Sequence, residues 1–429
     1  MPEPVDFYGL GIAPSILASL DKLGFKTPTP IQAKSVPPAL EGKDLIGLAQ
    51  TGTGKTLAFG IPLVQAALSG KKGLVVLPTR ELALQVEEEL KKVGGALGVR
   101  LALLIGGGPM FGQIRDLRRG PAVIIGTPGR ILDHLRQRTV SLREVKVLVL
   151  DEADRMLDMG FAPQLRQIIA AVPEERQTML FSATMPNEIV KMATAYMHLP
   201  LRIEVAPPGT AVEKISQELF FVAKPDKPRL LEKLLYDYKG PVLVFSKTKF
   251  GAKRIAAMLR ALGHTASEIH SNRTLNQRKE ALEGFKNGRY RVLVATDIAA
   301  RGIDVKGIEL VLNYDLPSNP EDYVHRIGRT ARAGASGRAI SFAMPDERRD
   351  VRDIERLMKI TLPLSRLPEL PPLRPVPRGV RREPDRPRRF DRHSRSGSSR
   401  PRGHSSSSSG HRRTFSVSRP GARPPRRRF

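Results

Sequence analysis

The sequence VLVLDEADRMLD at residues 147–158 is the strongest indication of the fold. An apolar run, Val147 to Leu150, ends abruptly in Asp151 and Glu152. A buried charge is costly unless a partner compensates it. Two interpretations are therefore open: the strand reaches solvent at this point, or the carboxylates hold a cation. The unbroken apolar run itself predicts a strand covered on both faces, as in a parallel sheet.

Runs of the same kind recur along the chain, separated by segments with a helical pattern. They lie at residues 44–49, 73–77, 100–105, 122–126, 145–150 and 178–181 in the first half, and at 218–223, 241–245, 291–296, 309–314 and 339–344 in the second. This succession is typical of two α/β domains built on parallel sheets. Between the two sets, EVAPPGTAVEKI at residues 204–215 contains Pro and Gly breakers, which predicts an interdomain linker.

Composition bounds the class of protein. The 429 residues carry a formal net charge of +28, which predicts a polyanionic partner, with nucleic acid favoured over a membrane. Residues 371–429 contain 18 arginines, no lysine and three acidic residues. From about residue 366 Arg, Ser, Pro and Gly dominate, which predicts a disordered basic tail.

The same composition excludes several classes of site. Cysteine is absent, so neither a disulfide framework nor a thiolate metal site is possible. No run reaches the length of about 18 apolar residues that a membrane span requires. The first residues, MPEPVDFYGL, do not have the pattern of a secretory signal. We therefore expect a cytoplasmic protein without a membrane partner.

A candidate phosphate site, AQTGTGKT at residues 49–56, follows the first predicted strand. In such a turn, backbone N–H groups close on phosphate oxygens and the next helix adds its dipole. Lys55 would reach the terminal phosphates, and the Thr56 hydroxyl would ligate Mg²⁺. This setting favours the cation interpretation: Asp151 would hold the metal, and Glu152 would orient or deprotonate the attacking water.

AQTGTGKT, DEAD at residues 151–154 and SAT at residues 182–184 occur in the order found in DEAD-box RNA helicases, and the chain resembles this family. The resemblance implies two tandem RecA-like parallel-sheet domains that bind ATP and Mg²⁺. It divides the chain into a first domain (1–206), a linker (207–214), a second domain (215–366) and the tail (367–429). The segment IHSNRTLNQRKEALEGF most resembles bacterial members of the RhlE type.

GFKTPTPIQ at residues 24–32 resembles the family's adenine-reading segment. Gln32 would hydrogen-bond the donor and acceptor edges of adenine, and the upstream Phe7 would stack on the base. The resemblance implies that ATP contacts Phe7, Phe25, Gln32, Ala49, Gln50, Thr51, Gly52, Thr53, Gly54, Lys55, Thr56 and Asp304, with Thr56 and Asp151 as metal ligands.

Further motifs resemble the family's RNA-contacting loops: PTRELA (78–83), GGG (106–108), TPGR (127–130), FSKTK (245–249) and ATDIAARGID (295–304). Thr, Gly and Arg at strand ends suit phosphate-backbone contacts, which need donors but no base recognition. Each motif alone also fits an ordinary turn. The implied RNA contacts are Pro78, Thr79, Arg80, Gly107, Thr127, Pro128, Gly129, Arg130 and Thr296.

HRIGRTAR at residues 325–332 resembles the motif that carries the family's arginine fingers. A surface arginine pair is usually only solvated, so that alternative stays open. The implied catalytic set is Lys55, Asp151, Glu152, Arg329 and Arg332, and Ser182, Thr184 and His325 would couple the ATP and RNA sites. A helix cap or a structural histidine explains the last three equally simply.

Two positions depart from the family pattern. Leu275 stands where Gln is frequent, which predicts the absence of a polar contact, and Ala331 stands where Gly is frequent.

The resemblance implies an RNA-stimulated ATPase that unwinds short RNA duplexes locally and remodels RNA or ribonucleoprotein structure. RNA is the expected partner, and ribosomal RNA and RNA-degradation assemblies are candidate targets. Two alternatives stay open. One is an RNA chaperone whose tail anneals strands, which tail-dependent annealing without ATP would support. The other is a DNA translocase, which stimulation by DNA rather than RNA would support.

Overall fold

The computed structural model describes residues 6–49, 52–205, 215–300, 305, 307–330 and 337–372. Two sheets organise these residues. We name the parts built on them the first lobe (residues 6–205) and the second lobe (residues 215–372). The predicted linker at 207–214 lies outside the described residues. No helix within the described ranges has the length and apolar character needed to cross a bilayer.

The first lobe contains a seven-stranded sheet with the order β3-β4-β2-β5-β6-β1-β7. Its strands are β1 (Leu45–Leu48), β2 (Lys72–Val76), β3 (Leu101–Leu104), β4 (Val123–Gly126), β5 (Val145–Leu150), β6 (Gln177–Ser182) and β7 (Leu201–Glu204). Each neighbouring pair in this sheet is parallel. The carboxyl ends of the strands therefore meet at one edge, where the predicted motifs lie.

The second lobe contains a six-stranded sheet with the order β10-β11-β9-β12-β13-β8. Its strands are β8 (Ile215–Phe221), β9 (Val242–Phe245), β10 (Ala266–Ile269), β11 (Val292–Ala295), β12 (Leu310–Asn313) and β13 (Gly337–Ala343). Neighbouring strands are again parallel throughout. The predicted fold class, two tandem parallel-sheet α/β domains, is confirmed.

Helices connect the strands and cover the sheets. In the first lobe they are α1 (Pro14–Lys22), α2 (Pro30–Leu40), α3 (Lys55–Leu68), α4 (Arg80–Gly94), α5 (Met110–Arg118), α6 (Pro128–Arg136), α7 (Ala153–Asp158), α8 (Ala162–Ala170) and α9 (Asn187–Tyr196). In the second they are α10 (Lys227–Asp237), α11 (Lys249–Ala261), α12 (Leu275–Lys286), α13 (Asp297–Ala300), α14 (Pro320–Ile327) and α15 (Arg348–Met358). Short 3₁₀ turns occur at Phe7–Leu10, Gly95–Leu97 and Pro345–Glu347.

Strand β5 shows why the apolar runs are continuous. Val147 and Val149 belong to one hydrophobic cluster, whereas Leu148 and Leu150 belong to a second cluster. Successive side chains of a strand point to opposite faces, so the two clusters cover the two sides of the sheet. A strand buried on both faces cannot alternate polar and apolar residues.

Two strands were absent from the prediction because their sequences are polar. Strand β7 (LRIE) lies at the sheet edge and is largely exposed. Strand β10 (ASEI) carries Glu268, whose carboxylate is buried but paired with Arg260 at 2.8 Å and with Arg273. Neither strand shows the continuous apolar run that identified the others.

The second lobe extends past the predicted boundary at residue 366. The Arg229 guanidinium donates to the carbonyl oxygens of Leu370 (3.3 Å) and Pro371 (2.7 Å). Leu370 also packs against the apolar cluster of this lobe. The boundary at residue 366 was therefore placed too early, because a composition rich in Pro and Leu gives no periodicity. The rest of the predicted tail, residues 373–429, lies outside the described residues.

Candidate active site

The phosphate loop places a buried cation at the start of a helix. Gly54 has a left-handed backbone (φ 91°) and directly precedes α3, which begins at Lys55. The Lys55 side chain is 6 % exposed, and its Nζ has no hydrogen-bond partner among the described residues. Its Nζ lies 3.9 Å from Oδ1 of Asp151. A buried ammonium without a hydrogen bond, beside a helix N-terminus, is suited to a polyphosphate.

The other predicted loop residues surround this cation. Ala49 is buried at the end of β1, where its N–H donates to the Ser182 carbonyl at 3.0 Å. Gly52, Thr53 and Thr56 are at least partly exposed. Gln50 and Thr51 lie outside the described residues.

Gln32 is tied to the phosphate loop. Its Oε1 accepts from the Thr29 N–H at 2.9 Å, and its Nε2 donates to the Gly54 carbonyl at 3.0 Å. A Cβ on Gly54 would lie only 2.5 Å from that Nε2. Gly54 is thus required both by its positive φ and by the close approach of Gln32. The amide retains a further donor and acceptor capacity, so adenine reading by Gln32 stays a prediction.

The two predicted adenine-side aromatics differ in exposure. Phe7 is 2 % exposed and belongs to the hydrophobic core of the first lobe. Phe25 is 41 % exposed. A ring must offer a free face to stack on a base, so the structure does not support Phe7 in that role. Phe25 is the better placed of the two.

A sharp turn presents the two carboxylates that follow β5. Glu152 adopts a left-handed backbone (φ 51°, ψ 50°), which is rare for a residue other than Gly. Its N–H donates to Oδ1 of Asp151 at 2.9 Å, which stabilises the turn. Non-glycine residues held in this region concentrate at functional sites. Both carboxylates are buried. The apolar strand therefore ends in a hydrogen-bonded turn inside the protein and does not run out into solvent.

Burial raises the pKa of the Asp151 carboxyl to about 6, although the nearby Lys55 ammonium opposes this rise. A further cation would favour its ionised form. Within the described ranges, no group of three or more metal-ligating His, Cys, Asp or Glu side chains occurs. Mg²⁺ normally keeps several waters and phosphate oxygens in its coordination sphere, so it needs few protein ligands. Thr56 and Asp151 are therefore a suitable pair of protein ligands for Mg²⁺.

The structure assigns a role to Asp154, which the sequence interpretation leaves without one. Its Oδ2 accepts from Thr184 N–H and Oγ1, both at 2.9 Å, and from the Ala183 N–H at 3.1 Å. Its own N–H donates to Ser182 Oγ at 3.3 Å. Burial raises the pKa of Asp154, but Lys55, His325 and the bonds from Thr184 outweigh it and lower that pKa. Hydrogen bonds thus join the DEAD segment directly to the SAT segment. The presence of a third acidic residue in DEAD was the sequence feature that could have pointed to this contact.

Helix α14 brings second-lobe groups to the same acidic motif. Burial, reinforced by Arg155, lowers the pKa of His325 to about 3, although Asp154 opposes this shift. Arg329 follows the helix, is 3 % exposed, and donates from Nε to the His325 carbonyl at 3.3 Å. The predicted Arg332 and Asp304 lie outside the described residues. Arg326, which the sequence interpretation does not single out, pairs through two bonds with Asp297 at 2.5 and 2.8 Å.

The predicted RNA motifs of the first lobe contact one another. Arg80 packs so closely on the glycine loop that a Cβ at Gly107 would lie 2.5 Å from its Nη1. The Gly108 carbonyl accepts from Arg130 Nη1 at 3.2 Å. Thr79 caps α4 by accepting from the Leu82 N–H at 3.3 Å.

The remaining predicted RNA-contacting residues lie in loops after strands and at the first turns of the helices that follow. Pro78 and Pro128 are buried, Thr127 is half-buried, and Gly129 is exposed, with no atom within 4 Å of an added Cβ. In the second lobe, Thr296 follows β11 and donates its N–H to the Ile269 carbonyl at 3.3 Å. The structure therefore brings three loops together in the first lobe, whereas Thr296 lies in the second lobe, directly after β11.

Charged and apolar side chains of the described residues make contact between the lobes. Glu81 pairs with Arg278 at 2.7 Å, and Arg155 lies 3.7 Å from Asp322. Leu275 packs against the hydrophobic core of the first lobe. Leu275, the departure from the family pattern, therefore makes an apolar interlobe contact, and the predicted absence of a polar contact stays a prediction.

The comparisons with known proteins agree with this geometry. The pattern described as DEAD/DEAH box helicase matches residues 29–192, and the pattern described as Helicase conserved C-terminal domain matches residues 226–334. The DEAD-box ATP-dependent RNA helicase CshA of Bacillus cereus is 46% identical over 358 residues, which are 82% of this chain and 68% of CshA. The predicted RhlE type is not supported by this relative.

Solved structures resemble the whole two-lobe arrangement. S. cerevisiae Dbp5 bound to RNA and ADP BeF3 superposes with a TM-score of 0.76 at 30% identity, covering 84% of this chain and 95% of Dbp5. Mss116p bound to ssRNA and AMP-PNP gives a TM-score of 0.79 at 29% identity, and the match covers 86% of this chain and 81% of Mss116p. By its motifs, its two parallel-sheet lobes and its similarity to CshA, the chain belongs to the DEAD-box family of ATP-dependent RNA helicases.

Proposed function

We propose that the chain hydrolyses ATP at the phosphate loop of the first lobe and uses ATP-dependent closure to unwind short RNA duplexes locally. One observation carries this proposal. The Lys55 ammonium, which has no hydrogen bond within the described ranges, the carboxylates that follow β5 and the α14 helix of the second lobe all meet where the two lobes touch. A site completed only when two lobes meet can link hydrolysis to a conformational change.

The proposed chemistry is an in-line displacement by water. The water oxygen attacks the γ-phosphorus, the bond to the β–γ bridging oxygen breaks, and the Glu152 carboxylate accepts the proton of the water. Lys55 neutralises phosphate charge, while Arg329 and Arg332 stabilise the charge of the transition state. Mg²⁺, held by Thr56 and Asp151, would supply further charge neutralisation. Gln32 and Phe25 would hold the adenine.

RNA is proposed to lie along the edge formed by Arg80, the glycine loop, Arg130 and, in the second lobe, Thr296. Arginine and backbone donors at this edge suit phosphate oxygens and carry no base information. If ATP and RNA each favour closure, each must raise the affinity for the other by the same factor. Local strand separation then follows from closure around one strand, without long-range translocation.

The proposal also covers the cellular location of the protein and its RNA targets. The similarity to CshA and the absence of cysteine support a cytoplasmic RNA helicase. Ribosomal RNA and RNA-degradation assemblies are the proposed targets. The RhlE-type subfamily assignment stays a prediction from the sequence.

The test compares the unaltered protein with Glu152→Gln. We expect RNA to stimulate ATP turnover, DNA of the same sequence to stimulate it much less, and a short RNA duplex to be displaced only with ATP. Glu152→Gln should still bind ATP but lose hydrolysis, because an amide cannot accept the proton. A normal rate in Glu152→Gln would show that Glu152 is not the base.

A panel of structured RNAs in the same ATPase assay would identify the target class. An unaltered protein that RNA fails to stimulate would overturn the proposed function as a whole.

A further inference from the structure

Arg155 is a buried cation that lies between carboxylates of the two lobes. It follows the DEAD segment within α7 and is 3 % exposed. Its Nη1 is 3.7 Å from Oε2 of Glu152 on its own lobe, and its Nη2 is 3.7 Å from Oδ1 of Asp322 on the second lobe. Both distances permit ion pairing but are longer than a hydrogen bond. The guanidinium therefore interacts electrostatically with both carboxylates and forms a hydrogen bond with neither of them.

The pairing between Arg155 and Glu152 is incomplete. Arg155 Nε and Glu152 Oε2 are both buried, and neither has a hydrogen-bond partner in the described part of the chain. Such groups carry a desolvation cost, so each one calls for an explanation. Because the left-handed backbone of Glu152 is held by Asp151, its carboxylate can change partners only by rotation of the side chain.

Asp322 reaches Arg155 on the same helix that carries the other second-lobe groups. It lies in the first turn of α14, and His325 lies one turn later. A cavity of about 10 Å³, lined by Arg155, Asp322, His325 and Arg329, separates these side chains and has the size of roughly one water molecule. When the two lobes close, Asp322 therefore approaches Arg155 at the same time as His325 reaches the first lobe. When the lobes separate, Glu152 is the one of the two carboxylates that stays beside Arg155.

We propose that Arg155 is a positioning residue that makes the orientation of Glu152 depend on lobe closure. This inference rests on the proposed role of Glu152 as the base. With the lobes apart, Arg155 pairs with Glu152 and holds its carboxylate away from the attacking water. Closure adds Asp322 as a second anion, which shares the guanidinium and leaves one Glu152 oxygen free to accept the proton. RNA stimulates hydrolysis because RNA favours closure.

The decisive variant is Asp322→Asn in the full chain. Two quantities are measured with saturating RNA: the steady-state constants for ATP, and the closed fraction from energy transfer between dyes on the two lobes with a non-hydrolysable ATP analogue. We expect kcat to fall by about 10- to 100-fold, as for a misplaced catalytic group. KM for ATP and the closed fraction should stay within about twofold.

Two conservative variants separate positioning from general damage. Asp322→Glu keeps the charge and should recover most of the rate. Arg155→Lys replaces a planar fork by a point charge that cannot serve two carboxylates at once, so it should lower kcat as Asp322→Asn does. The matched control is Glu321→Gln, the neighbouring acidic residue of α14, which should not lower kcat.

A normal kcat in Asp322→Asn would overturn the inference. A closed fraction that falls in parallel with kcat would overturn it as well, since Asp322 would then serve only closure. Both results leave the proposed function standing as long as Glu152→Gln is inactive and RNA stimulates the unaltered protein. Normal hydrolysis by Glu152→Gln would instead remove the base on which both proposals depend.

Discussion

The Glu81 carboxylate of the first lobe and the Arg278 guanidinium of the second form an ion pair in which Oε2 lies 2.7 Å from Nη2. Both side chains are buried, and the residues are 197 positions apart in the sequence. Glu81 directly follows Arg80, which packs on the glycine loop. The pair therefore links the proposed RNA edge of the first lobe to helix α12.

Glu81→Gln should weaken lobe closure, because it leaves Arg278 buried without an anion. Removing one partner of a buried pair costs about 3–5 kcal/mol. Separated lobes can rehydrate the guanidinium, so we expect this cost to reduce the closed fraction and raise the RNA concentration needed for half-maximal ATPase, with Tm unchanged. Energy transfer between the lobes and an RNA titration measure these effects.

The control for this variant is the double change Glu81→Leu with Arg278→Met, which removes both charges and should recover part of the closure. A double variant that closes no better than Glu81→Gln would contradict the ion-pair explanation.

Closure should depend on pH through His325. Burial, reinforced by Arg155, lowers the pKa of this ring from 6.5 to about 3. We expect the ordinary value when the lobes are apart, so the closed state binds fewer protons. Its stability is then complete above about pH 6.5 and is lost as pH falls from there towards the closed-state pKa. Each pH unit in this window should cost about 1.4 kcal/mol, or tenfold.

The closed fraction measured between about pH 7.5 and about pH 5.5 tests this sign. His325→Gln cannot titrate, so its closure should vary much less over the same range. An equally steep dependence in His325→Gln would assign the titration to another group.

Phe25 and Phe7 should respond differently to truncation. Phe25→Ala removes an exposed ring, so we expect a higher KM for ATP with little change in Tm. Phe7→Ala opens a cavity in the core of the first lobe, which typically costs about 3–5 kcal/mol of unfolding free energy. Thermal unfolding and ATP titration of the two variants form a matched pair. A Phe7→Ala protein with normal Tm and weak ATP binding would restore Phe7 as the stacking residue.

Removal of residues 373–429 should weaken RNA binding and leave basal ATPase intact. The cut belongs after Pro372, because Arg229 binds the carbonyls of Leu370 and Pro371. Arginine side chains contact phosphates and stack on bases. For every single-strand phosphate that the protein no longer binds, the log–log salt dependence of RNA binding should flatten by about 0.7. If a third of the 18 arginines engage at once, the slope should fall by roughly four.

The decrease in affinity should be nearly independent of RNA sequence, because phosphate contacts carry no base information. Unchanged affinity and salt slope after truncation would rule out RNA anchoring by the tail. Loss of an ATP-independent annealing activity on truncation would support the RNA-chaperone alternative.

Features that depend on neighbouring residues could be predicted from the sequence. VLVL at residues 147–150 predicted both β5 and its burial on two faces, because a strand packed on both sides cannot alternate polar and apolar residues. AQTGTGKT predicted a phosphate-binding turn followed by a helix, and in the structure this helix, α3, begins at Lys55. Asp151 and Glu152 stood out because a buried charge is costly without a partner, and the sequence predicted metal binding there rather than the turn itself.

Contacts between groups that are distant in the sequence became visible only in the folded structure. No local pattern indicated that Glu81 pairs with Arg278, or that Arg155 lies between Glu152 and Asp322. The burial of Phe7 and the exposure of Phe25 were equally hidden, since both are aromatic residues in similar short motifs. Local periodicity reports which face of an element is apolar. The partner of a polar group, by contrast, depends on how whole elements and lobes pack together.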